Sequence, residues 1–169
     1  MEYKFEKERG NYEDFASGRV LLNAPGTTAF PVRLASELYL RAREKLRAKG
    51  APERVAVYDP CCGGAHLLAT IGIMHGSGVR RLVGSDVDPA VVRLAQRNLA
   101  MVNADGLKER VEQLRELHRQ FGKASHAEAA ESGMRLMEMV ERRGFEVETF
   151  SFEADATAPG DALAADEMP

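Results

Sequence analysis

The sequence has 169 residues, a length that fits one domain. At 44% hydrophobic and 29% charged it holds enough apolar residue for a core, which excludes wholesale disorder. The net charge of −3 is unevenly spread: residues 1–58 carry +3, residues 59–143 carry +1 and residues 144–169 carry −7. A basic front with an acidic tail is compatible with a nucleic-acid partner but does not demand one. The two cysteines, Cys61 and Cys62, are adjacent, so they provide neither a disulfide framework nor a zinc ligand set. No apolar run approaches the ~18 residues of a membrane span, and the N-terminus lacks a signal-peptide core. The expectation is a reducing, cytoplasmic setting with no membrane and no metal.

In chain order, residues 1–24 read as loop with some local structure. Ala24-Pro25-Gly26-Thr27-Thr28 is turn chemistry. A helix should follow with Pro31 in its first turn and an apolar stripe of Leu34, Leu38, Ala42 and Leu46, ended by Gly50 and Pro52. Arg54–Asp59 is β-rich and reads as the first strand, Gly63–Gly72 as a turn into a helix, and Arg81–Asp86 as the second strand. Asp88 and Pro89 start another helix with a stripe of Val91, Ala95, Leu99 and Val102. Residues 104–143 read as an inserted helical pair. Leu107, Val111, Leu114, His118 and Phe121 face its core; Gly122 separates the helices; Ser125–Glu128 has the form of a capping box. Phe145–Phe152 alternates with period two and reads as the third strand. Strands alternating with helices imply an α/β fold with a parallel sheet. The division is an N-terminal helical segment, 1–53, and a Rossmann-like domain, 54–169, with the insertion at 104–143.

Asp59-Pro60-Cys61-Cys62-Gly63-Gly64 joins the first strand to its helix through a tight turn of small residues. Such a turn lets a ligand approach the backbone, and the helix N-terminus behind it favours negative charge. Asp86 ends the second strand 22 residues after Gly64, close to the ~20-residue offset at which an acid meets a ribose diol in Rossmann-like sites. A carboxylate accepts both hydroxyl hydrogen bonds of a diol. Asp155 follows the third strand, where an acid accepts from an adenine amino group. Acids at the ends of parallel strands converge on one crevice. Asp88 reads as a helix cap, Cys61 and Cys62 as small buried packing residues rather than nucleophiles, and His66 as a residue with no special role. The turn lacks the G-x-G-x-x-G of nicotinamide dehydrogenases.

Several segments resemble the avilamycin-resistance type of 23S ribosomal RNA methyltransferase, class I enzymes using S-adenosyl-L-methionine. They are the front segments Tyr12–Leu21 and Asn23–Glu37, the motifs Asp59–Gly63 and Ser85–Pro89, and Phe121-Gly122-Lys123. The resemblance implies a Rossmann-like class I methyltransferase fold, N-terminal half only, with three parallel strands and a helical insertion between strands 2 and 3. It implies methyl transfer to guanine N2 of 23S rRNA in the large ribosomal subunit, antibiotic resistance as the outcome, and S-adenosyl-L-methionine held by Asp59, Cys61, Gly63, Gly64, Asp86 and Asp155. Arg33, Arg41 and Lys45 on the basic helix, with Arg43 and Arg47, are the expected RNA contacts.

Two departures from the family pattern stand out. Ala65 occupies a glycine position of the family's turn. No D-L-P-Y or N-P-P-Y-like motif follows Asp155. The expectation is therefore a truncated chain that does not methylate RNA alone, with the first strand unpaired on its outer edge. The alternative is a non-catalytic module binding cofactor or RNA, or a half-domain completed by a partner chain.

Overall fold

The computed structural model describes residues 2–23 and 29–158. The turn expected at 24–28 and the last part of the acidic tail, 159–169, lie outside the described residues. The elements run α1 (Val32–Ala48), β1 (Val55–Asp59), α2 (His66–His75), β2 (Val79–Asp86), α3 (Pro89–Ala100), α4 (Ala104–Phe121), α5 (Ala124–Glu141) and β3 (Glu148–Glu153). The strands form one parallel sheet in the order β1-β2-β3, so the expected α/β architecture is present. Among the described residues β1 pairs only with β2.

Cross-strand rows fix what each sheet face carries. Asp59, Gly84 and Ser151 lie in one row, and Tyr58, Val83 and Phe150 in the next. The Gly84 face is packed tightly: a Cβ there would stand 2.8 Å from Cys62 Sγ and 3.1 Å from Leu68 of α2. The aromatic residues of β3 sit on the opposite face, where Phe152 stacks on Tyr58 at 6.4 Å and Phe150 is 51% exposed.

One core joins the front segment to the sheet. Phe15, Val20 and Leu21 are buried with Leu68, Leu82, Leu99 and Leu136. Residues read as loop thus contribute core side chains, and Glu13–Phe15 there forms a short helical turn.

Four readings of local structure need correction. The α1 stripe is misplaced: Leu38 and Leu46 are exposed, and the buried face carries Ala35, Ser36, Tyr39 and Arg43. A four-residue spacing advances ~40° per step around a 3.6-residue helix, so four such positions do not share a face. The capping box does not form. Gly122, at φ 64°, ends α4, Lys123 is extended, and α5 begins at Ala124, leaving Ser125 inside the first turn. Phe121, expected on the core face of α4, is exposed at the helix end. β3 starts at Glu148 rather than Phe145 because the Asn103 side chain binds both backbone groups of Val147, diverting it from the ladder (2.9 Å each). The Asp88 cap is as read: its Oδ1 accepts from Ala90 N–H at 2.7 Å, with Pro89 at the first helical position.

Candidate functional site

The site begins where β1 stops. Asp59 turns the chain by accepting from Cys61 N–H at 3.1 Å. Cys62 N–H then donates to Ser85 O at 2.9 Å, tying the turn to β2. Gly63 takes φ 53° and donates its N–H to Asp86 Oδ2 at 2.9 Å. A Cβ on Gly63 would meet nothing within 4 Å, so this backbone faces open space. Asp86 Oδ1 accepts from Asp88 N–H at 3.1 Å. Each carboxylate oxygen therefore holds one backbone donor and keeps a further lone pair.

Ala65 carries a positive φ, 56°, and leads into α2. The left-handed region costs a non-glycine residue about 1 kcal/mol or more, and full burial of the side chain does not relieve it. The departure from glycine at this position thus falls on a strained backbone.

A cavity of about 350 Å³ opens against this turn. Asp59, Cys61, Cys62, Gly63 and Gly64 form one wall, and Leu22, Asn23, Ala29 and Phe30 of the front segment form the other. His66 lies at its floor. Its Nε2 donates to Phe15 O at 3.2 Å, which leaves Nδ1 as a buried acceptor with no partner among the described residues. Burial holds the imidazole below its ordinary pKa, against the raising effect of the Phe15 carbonyl. Burial, and then the nearby Asp59 and Asp86 carboxylates, pushes the Cys62 thiol up to about 12. That thiol is a packing group and not a nucleophile.

The sequence-predicted residues divide into three sets. Asp59, Cys61, Gly63 and Gly64 line the cavity, and Asp86 joins them through Gly63. Asp155 stands beyond the end of β3, outside the cavity lining, with Oδ1 accepting from Thr157 N–H and Oγ1. The cations of α1 are differently placed. Arg33 donates to Glu6 O and Lys7 O and stacks on Tyr3, and Arg41 binds Glu37 and Glu2 O. Arg43 is buried against Pro52 O and Glu53 O, while Lys45 is exposed.

Two buried polar positions that tie segments together were not singled out from the sequence. Asn98, fully buried in α3, bonds Leu22 and Gly64. Its signal was a polar residue three positions after Ala95, inside an apolar row. Glu37, fully buried in α1, accepts from Lys4, Phe5 and Glu6 N–H and holds the N-terminus against the helix.

Residues 1–167 match the family model described as rRNA methyltransferase AviRa. The chain belongs to the AviRa family of rRNA methyltransferases. A curated family member, the 23S rRNA (guanine(2535)-N(1))-methyltransferase of Streptomyces viridochromogenes, is 43% identical over 142 residues, 84% of this chain and 56% of that protein. The chain thus spans about half the length of this AviRa-family relative. Two solved structures of the AviRa rRNA methyltransferase from Streptomyces viridochromogenes superpose with TM-scores of 0.90 and 0.89 at 38% identity. Both comparisons cover 100% of this chain and 68% of the other. The relative's name gives N1 of guanine, where the resemblance implies N2.

Proposed function

We propose that the chain forms the S-adenosyl-L-methionine site of a methyltransferase acting on guanine in 23S rRNA, at N1 as its relative is named. The observation that carries this reading is the turn itself. The glycine backbone beside the cavity is braced by Asp86, and Asp86 retains acceptor capacity. Gly63 leaves a cradle that no Cβ fills, the setting in which a ligand's carboxylate approaches backbone N–H groups and a helix N-terminus. Asp86 would accept from the ribose hydroxyls, and Asp59 and Cys61 would border the methionine part. Asp155 would receive the adenine amino group on Oδ2, its bonds to Thr157 falling on Oδ1.

The cofactor, when bound, supplies a sulfonium-activated methyl group, and the chain's own residues supply position and electrostatics. For RNA, Lys45 and Arg47 are the expected contacts that stand exposed on α1, whereas Arg33 and Arg41 chiefly hold residues 2–7 in place. Among the described residues no helix is long and apolar enough to cross a membrane, and no cluster of metal-ligating side chains occurs.

Calorimetry on the 169-residue chain with S-adenosylmethionine and with NAD tests the reading. Saturable binding of S-adenosylmethionine alone supports it. Binding of NAD in preference, or of neither, overturns it.

A further inference from the structure

We infer that Asn98 is a positioning residue that sets the width of the cavity where the methionine end of the cofactor is held; this rests on the function proposed above. The side chain is completely buried, and its amide is fully used. Oδ1 accepts from Leu22 N–H at 2.8 Å, and Nδ2 donates to Leu22 O at 2.9 Å. The second Nδ2 hydrogen goes to Gly64 O at 2.7 Å. Leu22 and Gly64 belong to opposite walls of the cavity. One planar group therefore links the front segment to the glycine turn.

The chemistry of this link is specific. Leu22 presents one donor and one acceptor, as an edge residue presents them to a neighbouring strand, and only a carboxamide satisfies both while donating once more. Aspartate lacks both donors, and an aliphatic residue lacks everything. Among the described residues, His66 and Arg110 also tie down carbonyls of the front segment, at Phe15 and Val20, but from α2 and α4 rather than from the glycine turn. Gly64 is further confined from the α3 side, because a Cβ there would stand 3.0 Å from Leu94 Cδ2. The walls are thus set by α3, an element that contributes no lining residue of its own to the cavity.

Asn98→Ala and Asn98→Ser test this assignment. Each variant is first checked for a cooperative melt and then titrated calorimetrically with S-adenosylmethionine and with adenosine, which lacks the methionine part. The expected result is at least a tenfold loss of affinity for S-adenosylmethionine with adenosine binding within twofold of the parent chain. Unchanged S-adenosylmethionine affinity overturns the inference. An equal loss for both ligands, or failure of both variants to fold, shows a structural role only and overturns it too. If the parent chain binds no S-adenosylmethionine, the proposed function fails and not this assignment alone.

Discussion

At the scale of single residues, two side chains of the glycine turn have consequences that stability and reactivity report. Cys61 is exposed and Cys62 is buried, with the Cys62 thiol pushed up to about 12 by burial and by the two acids. Titration with a thiol reagent at pH 8 is expected to give one fast-reacting group per folded chain and the second only on unfolding. Two fast thiols would contradict the packing role of Cys62. Ala65 sits at φ 56° with no exposed surface. Ala65→Gly removes a left-handed penalty of about 1 kcal/mol and loses a buried methyl worth about as much, so stability should change by less than ~1 kcal/mol. Ala65→Val adds a β-branched side chain to the same backbone and should cost more than ~2 kcal/mol by denaturant melt. The glycine turn was legible in the sequence because its small residues and its acid offsets are local. Asn98 was not, since its partners are 76 and 34 residues away.

At the scale of elements, α1 and the segment before it stand or fall together. Glu37 is the link. Burial alone would raise its carboxyl, but the N–H groups of Glu6, Lys4 and Phe5 and the Arg41 guanidinium outweigh burial and lower it from 4.5 to about 2. A folded pKa below the unfolded one contributes stability that is complete above 4.5 and is lost as the pH falls toward 2. The amide resonances of Lys4, Phe5 and Glu6 should therefore titrate with a midpoint near 2, and a midpoint at 4.5 would contradict the buried linkage.

The crossing of α3 and α4 is similarly constrained. A Cβ on Gly106 would stand 2.1 Å from Ala100 O, and a backbone atom cannot rotate away. Gly106→Ala should cost about 2–3 kcal/mol in thermal or denaturant unfolding. Helices and strands were largely legible from periodicity, because α4 and α5 bury leucines, alanines and valines at helical spacing. Faces and ends were not. The α1 leucines drift around the helix, and Asn103 delays β3 through a tertiary contact. The front segment looked like a loop because Phe15, Val20 and Leu21 reach the core without regular periodicity.

At the scale of the molecule, the parallel sheet brings the end of β1, its glycine turn and the front segment around one cavity, with Asp86 at the end of β2 behind Gly63 and Asp155 outside the lining. The α/β order and the strand-end acids were readable from the alternation of motifs. The use of the front segment as a cavity wall was not, because it depends on Asn98, His66 and Arg110 holding carbonyls far away in sequence. The same assembly has Asp86 brace Gly63 and keep acceptor capacity to spare, the capacity that the proposed ligand contact would use.

The most direct test is therefore the equilibrium binding of S-adenosylmethionine to the chain and to Asp86→Ala, measured side by side. The account predicts saturable binding by the parent chain and at least a tenfold weaker affinity in the folded variant. Equal affinity in the two proteins would contradict it.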